Sequence, residues 1–166
     1  MILILTGPPA AGKNTLGHQI AKRLANGVVI DVDLVRAMVV QPHLAPWLGE
    51  AGMAQLRLGA KNGCTLVKNF VAAGYNVIIL DVLTDETAAI YRTRLGSLVH
   101  QIVLLLPTLE ESLRRNQQRG QWLTDDEVRL LYGWQATLRG YDRKIDNSNW
   151  SATALADELA NAFLKQ

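Results

Sequence analysis

The residues whose types and spacing point most directly to chemistry stand at the amino end of the chain: Gly7, Gly12, Lys13, Asn14 and Thr15, within MILILTGPPAAGKNT. An apolar run, Ile2 to Leu5, stops at Gly7, and Gly12-Lys13 follows five residues later, ahead of a helix-compatible pattern. Strand, glycine-bounded loop, lysine and helix in that order make a phosphate-binding loop. Gly7 permits the sharp turn out of the strand, and Gly12 lets the backbone approach an anion without a Cβ in the way. Pro8 and Pro9 stiffen the loop but have no amide hydrogen to give. The donors are then the amides of Ala10, Ala11, Gly12, Lys13, Asn14 and Thr15, converging at a helix N-terminus whose dipole favours negative charge. Lys13 adds a mobile charge for β- and γ-phosphates. Where a Ser or Thr hydroxyl commonly follows the lysine and binds magnesium, this chain has Asn14. Its amide oxygen suits a hard cation, or Thr15 takes that place directly or through water.

Carboxylates and arginines supply the rest of the chemistry. Asp31-Val32-Asp33-Leu34-Val35-Arg36 opens a helix straight after a short apolar segment, and Asp81 ends the apolar run YNVIIL. Asp33 is placed to act as a general base or to cap its own helix. Asp81 is placed to orient a metal-bound water or to serve as a strand-end carboxylate bonded to backbone amides. From Arg114 to Arg143 there are six arginines and no lysine, and the planar guanidinium fork suits bidentate phosphate contacts. Arg115 and Arg119, one helical turn apart, are the pair suited to close over a phosphate; a solvated helix face is the plainer reading of Arg114, Arg115 and Arg119. Arg36 is suited to a substrate or to local pairing with Asp33, and Arg57 is a weaker substrate-side candidate. His43 and Trp47 read as residues of a loop, and Cys64 as packing.

Positioning these groups takes strands that alternate with helices. Helices are expected over Lys13–Ala25, from Asp31 to about Val40, over about Glu50–Ala73 and Asp85–Leu95, after Thr108, from Asp125, and over Ser151–Leu164. Strands are expected over Ile2–Leu5, Val28–Ile30, Tyr75–Leu80 and Gln101–Leu106, with a short fifth around Ile145. Met53, Leu56, Ala60, Cys64, Val67 and Val71 form the apolar stripe of the long helix; Val128, Leu131, Trp134 and Leu138 that of the helix from Asp125; Leu155, Leu159 and Phe163 the last spine. Thr108 with Glu111 and Thr124 with Glu127 have capping-box spacing. Such alternation implies parallel pairing in a right-handed, doubly wound sheet whose ligands gather at the carboxyl ends of the strands. The phosphate loop, Asp31, Asp33 and Asp81 all fall at that edge.

At 166 residues, 49% hydrophobic and 19% charged, the chain matches one soluble domain with a substantial core. A net charge of +2 argues for no nucleic-acid or membrane partner, and no apolar run approaches membrane-spanning length. A single cysteine excludes an internal disulfide and fits a cytoplasmic protein. The apolar start lacks a basic leader and a cleavage site, so no signal peptide is expected. The first turn also lacks the glycine spacing of a dinucleotide site.

Taken together, GPPAAGKNT resembles the phosphate loop of adenylate kinases, and Asp33-Leu34-Val35-Arg36 resembles their Asp-x-x-Arg after the second strand. Asp81 resembles the acidic residue closing their third strand, Leu113–Gly120 (LRRNQQRG) their arginine-bearing lid, and Lys144–Ser148 (KIDNS) the strand leading into their last helix. Two departures separate the chain from nucleoside monophosphate kinases: Asp81 is followed by Val-Leu-Thr rather than Gly-Phe-Pro-Arg, and the lid has no long insertion. The chain is more similar to compact small-molecule kinases of the chloramphenicol-phosphotransferase-like and zeta-toxin-like groups. That resemblance implies a three-layer α/β P-loop NTPase fold with about five parallel strands and helices on both faces, spanning residues 1–166, with a short lid at about 108–124. It also implies ATP and Mg2+ as cofactors and direct in-line transfer to a hydroxyl of a small molecule. Asp33 is then the base, Lys13, Arg115 and Arg119 assist transfer, and Arg36, Arg57 and Asp81 lie toward the acceptor. The metal ligands are drawn from Asn14, Thr15 and Asp81. A nucleoside or nucleotide kinase, and a nucleotide-binding switch or regulatory ATPase, are the alternatives; acceptor and oligomeric state are left open.

Overall fold

Ile2, Ile4 and their neighbours Leu3 and Leu5 alternate faces along one strand, as the two-residue period of extended backbone requires. Both sets are buried in the computed structural model, which describes residues 2–164. This strand, β1 (Ile2–Thr6), is the middle of a five-stranded sheet in the order β2-β3-β1-β4-β5, with every pairing parallel. The others are β2 (Gly27–Asp31), β3 (Asn76–Leu80), β4 (Val99–Leu105) and β5 (Arg143–Ile145). Register places Ile4 between Ile79 and Ile102, and Leu5 between Leu80 and Val103. Parallel strands covered on both faces need apolar side chains on both, which explains the unbroken runs ILIL and VIIL.

Helices make the two outer layers. On one face Ile2, Ile4, Ile79 and Ile102 pack with α2 (Val32–Arg36), α3 (Gly49–Ala72) and α4 (Asp85–Leu95) through Val35, Ala60, Cys64, Val67, Ala88 and Tyr91. On the other face Leu3, Leu5, Ile78 and Leu105 pack with α1 (Lys13–Ala21) and α7 (Ala152–Leu164) through Leu16, Ile20, Leu155 and Leu159. The Phe163 side chain lies outside the described residues. Between β4 and β5 come α5 (Leu109–Gln118) and α6 (Asp125–Thr137). The expected three-layer α/β architecture is the one observed, and no helix among the described residues is long and apolar enough to cross a membrane.

Several boundaries differ from the sequence expectation, each for a tertiary reason. α1 ends at Ala21 rather than Ala25, because the chain must reverse so that Gly27 can lie against the Ala21 carbonyl; a Cβ on Gly27 would stand 2.0 Å from that oxygen. Leu24 is still buried, but from a turn. α2 stops at Arg36 rather than near Val40, since Met38 and Val40 face solvent and no apolar stripe continues. In α6 the buried positions are Val128, Leu131 and Gln135, with Leu138 buried just past its end, so a glutamine takes the inward place expected of Trp134. The Thr124–Glu127 capping box forms in full. At Thr108 only half forms: its hydroxyl accepts from the Glu111 amide, while the Glu111 carboxylate turns to Arg114 and Arg115.

Gly7 is where β1 must leave the sheet, and a Cβ there would sit 2.3 Å from the Leu105 carbonyl oxygen in the neighbouring strand. Gly7→Ala is expected to destabilise the fold by about 2 kcal/mol or more, because backbone rather than a flexible side chain must give way. Urea denaturation followed by circular dichroism checks this.

Candidate active site

The loop after β1 is built from left-handed turns. Ala10 and Gly12 have φ of 61° and 90°, Ala11 N–H closes a turn on the Pro8 carbonyl at 3.2 Å, and Gly12 caps α1 without a side chain. The first amides of α1 have no intrahelical acceptor and point out of the helix end, the arrangement an anion completes. Lys13 lies back across the loop, its Nζ donating to the Gly7 and Pro8 carbonyls at 2.8 and 3.2 Å. Burial lowers its pKa, against the carboxylates of Asp33, Asp81 and Asp31, which raise it.

Asp31 and Asp33 divide the roles that the sequence left open. Asp31, at the end of β2, is the cap of α2: its Oδ1 accepts from the Asp33 amide at 3.0 Å, and its Oδ2 accepts from Asn14 Nδ2 at 2.8 Å. Asp33 is thereby free of the capping role. Its carboxylate is 60% exposed, and Arg36 Nη1 donates to it at 3.1 Å. Arg36 itself is only 9% exposed, with Nη2 on the Leu44 carbonyl at 3.4 Å and Nε buried without a partner. Gly59 of α3 makes room for it; a Cβ there would lie 2.4 Å from Arg36 Cγ.

Asp81 stands behind the loop. It is 1% exposed, accepting from Val82 N–H and from Tyr91 O–H, both at 2.8 Å, and burial pushes its carboxyl up to about 6. Next to it runs a closed polar triangle at the end of β1. Thr6 Oγ1 donates to Gln135 Oε1 at 2.8 Å, Leu83 N–H donates to Thr6 Oγ1 at 3.0 Å, and Gln135 Nε2 donates to the Leu83 carbonyl at 2.6 Å. All of this is buried, and it ties α6 to the strand that carries the phosphate loop.

Arg114 and Arg115 of α5 and Arg119 at its carboxyl cap separate. Arg114 faces solvent in a bidentate pair with Glu111, whose carboxyl Arg114 and Arg115 hold down to about 2. Arg115 Nε donates to Glu111 at 2.6 Å, and its Nη2 reaches the Asn147 and Ser148 carbonyls at 3.0 and 3.3 Å. Among the described residues the Arg119 side chain makes a 3.5 Å contact to Asn116 Oδ1 alone, and burial lowers its pKa. Asn147, after β5, donates through Nδ2 to the Ala11 carbonyl at 2.8 Å, so the same short segment holds both the phosphate loop and Arg115.

These pieces face one cleft of about 780 Å³. Pro9 to Thr15, Asp31, Asp33, Arg36, Arg115 and Arg119 line it; Gly7, Pro8, Asp81 and Arg57 are not among its lining. Arg57 is engaged on the surface with Glu50 and, at 3.2 Å, with Glu86. His43 and Trp47, read from sequence as plain loop residues, line the cleft, as do Trp122 and Trp134. Gln135 and Asn147 were missed at the sequence level. For Gln135 a signal existed, a lone amide on the inward stripe of an otherwise apolar helix face; for Asn147 there was none.

No protein-family model matches the sequence, and no curated protein matches it. Solved structures do. Shikimate kinase from Acinetobacter baumannii, in complex with shikimate, superposes with a TM-score of 0.68 at 18% identity, covering 99% of this chain and 93% of that one. The tunicamycin resistance protein of Deinococcus radiodurans gives 0.69 at 17% identity, over 98% and 94%. Shikimate kinase from Bacteroides thetaiotaomicron gives 0.63 at 21% identity, over 100% and 99%. The fold is therefore the one those three structures share. Likeness at this level of identity defines the architecture and leaves the chemistry to the residues of the cleft.

Two measurements probe the site's frame. Gln135→Leu, which orphans the buried Leu83 carbonyl, is expected to cost about 1–3 kcal/mol of stability, read from urea midpoints. Asp81 binds a proton more readily folded than unfolded, so its contribution to stability declines as pH rises from about 4 through about 6 and is flat above. That decline should disappear from the pH–stability profile of Asp81→Asn.

Proposed function

We propose that the protein is an ATP-dependent kinase that transfers the γ-phosphoryl group to a hydroxyl of a small molecule. The observation that carries this reading is that residues Pro9 to Thr15 of the phosphate loop, the exposed carboxylate of Asp33, and Arg115 and Arg119 line a single cleft. Phosphoryl transfer asks mainly for positioning and charge neutralisation, and these residues supply both. The amides of the loop and Lys13 hold the donor phosphates, with Lys13 leaving the Gly7 and Pro8 carbonyls to do so. The acceptor oxygen attacks the γ-phosphorus, its bond to ADP breaks, and the hydroxyl proton passes to Asp33. Arg36 fixes the rotamer of Asp33 from below. Arg119, with the fewest internal partners of the α5 arginines, reaches the transferring phosphoryl group, and Arg115 positions it by pinning α5 to the segment at Asn147. The stretch from about 108 to 124 acts as a short lid.

Magnesium fits the donor set. Thr15 is exposed on the cleft, and Asn14 turns its Nδ2 to Asp31, which leaves its amide oxygen as an acceptor. Among the described residues no cluster of three His, Cys, Asp or Glu side chains is placed to cage a metal. That agrees with an ion bound through substrate phosphates, waters and one or two protein oxygens. When bound, it neutralises charge on the donor phosphates. Asp81, with both oxygens already accepting, acts from behind by fixing the end of β3 or a metal-bound water.

The test is ADP release from Mg-ATP with and without a panel of sugars, nucleosides, aminoglycosides and other hydroxylated compounds. Stimulation by one class is expected, falling about 100-fold or more in Lys13→Ala and in Asp33→Asn. Tight nucleotide binding with no stimulated turnover, and no effect of Asp33→Asn, would instead support a nucleotide-operated switch.

A further inference from the structure

The Ala11–Gly12 peptide leads into α1, and its two polar groups are held very differently. The Ala11 carbonyl accepts from Asn147 Nδ2 at 2.8 Å, while the Gly12 N–H donates to no group among the described residues. In a trans peptide these two groups point in opposite directions. Asn147 is 7% exposed and stands outside the lining of the cleft, whereas Gly12 lines it. A hydrogen bond made behind the loop therefore turns the Gly12 N–H to the anion side.

Nothing in the local backbone fixes that orientation. The loop's own bonds, Ala11 N–H to the Pro8 carbonyl and Leu16 N–H to the Gly12 carbonyl, use the peptides on either side and leave this one free to turn. A half-turn alters only Ala11 ψ and Gly12 φ. It would carry Gly12 φ from 90° to about −90°, which glycine adopts as readily. The turned peptide would aim a carbonyl oxygen at bound phosphate in place of an amide hydrogen, exchanging an attraction for a repulsion.

The post that prevents this is rigid. Asp146 Oδ1 accepts from the Ser148 amide and hydroxyl at 2.9 and 2.6 Å, and Ser148 Oγ accepts from the Thr108 N–H at 2.9 Å. The Asn147 carbonyl in turn accepts from Arg115 Nη2 at 3.0 Å. Asn147 Oδ1 is buried without a partner, so the donating half of this amide is the half in use.

We propose that Asn147 is a positioning residue, which locks the Ala11–Gly12 peptide with its N–H toward bound phosphate and ties Arg115 of α5 to the same post. This rests on the phosphate-loop part of the reading above, and it holds for a kinase and for a switch alike.

The probes are pyrophosphate and ADP, with binding to the full chain measured by calorimetry and folding of each variant checked by circular dichroism. Asn147→Leu nearly keeps the size and branching of the side chain without its donor, and Asn147→Ala removes both. Each is expected to weaken both probes by about tenfold. Asn147→Asp keeps the shape but reverses the preference, because its carboxylate repels the Ala11 carbonyl and attracts the turned Gly12 N–H; a loss of about 100-fold is expected. The Gly12 amide proton resonance should then move downfield in the free Asn147→Asp protein, which charge repulsion of phosphate would not produce. In the wild type it should move downfield only when pyrophosphate is added. Affinity lost in Asn147→Ala but kept in Asn147→Leu would mean packing alone and overturn the proposal, as would unchanged affinity in both. If the variants do not fold, a wild-type Gly12 amide that pyrophosphate leaves in place overturns it unaided. Wild-type protein that binds neither probe would overturn the phosphate loop and the proposal together.

Discussion

A buried ammonium group has to be surrounded by acceptors, and the site is organised by how this chain meets that demand. Lys13 gives its protons to two carbonyls of its own loop, Gly7 and Pro8, while Asp31, Asp33 and Asp81 stand near enough to favour its charge. The loop can curl around the lysine only because Ala10 and Gly12 take left-handed backbone angles and Gly7 passes where no side chain fits. Each carboxylate in turn is fixed by something else: Asp31 by the α2 amide and Asn14, Asp33 by Arg36, Asp81 by Tyr91. The resting loop thus holds its own cation against its own carbonyls.

Around that centre the fold separates rigid and variable parts. The strands deliver Thr6, Asp31 and Asp81 to one edge with the precision of a paired sheet whose central strands are buried. Other walls of the cleft come from the connection after α2, from α3 and from α6, which rest on the sheet but do not belong to it. Gln135 bridges the two systems, bonding β1 and the residue after β3's turn to the helix that carries Trp134. A polar side chain in such a place specifies how the helix docks, since a rotation of α6 would break both of its bonds.

The sequence was most readable where a single short stretch settles the outcome. The phosphate loop, the alternation of strands and helices, and the full capping box at Thr124 depend on neighbours within a few residues, and all three are present in the structure. Reading failed where distant residues compete. Glu111 has the spacing to cap its helix, yet two arginines on its own face attract its carboxylate more strongly. Asp33 and Asp31 are equally good caps by composition, and the register of β2 against β3 decides in favour of Asp31. Arg57, one of several basic residues along α3, meets Glu86 from another helix, which no spacing rule within α3 announces. Asn147 reaches Ala11 across 136 positions, and a contact that long has no trace in local pattern.

That last contact bears on the order in which the protein is made. The phosphate loop is synthesised within the first fifteen residues, but its Ala11 carbonyl is met by Asn147, and the helix it opens is covered by Leu155 and Leu159 of α7. While the chain is still emerging from the ribosome, the loop therefore lacks the partner and the cover that give it shape. The Ala11 carbonyl and the helix after it stay uncovered until residues 136 or more positions away have packed, so the stretch most legible in the sequence is completed by distant ones.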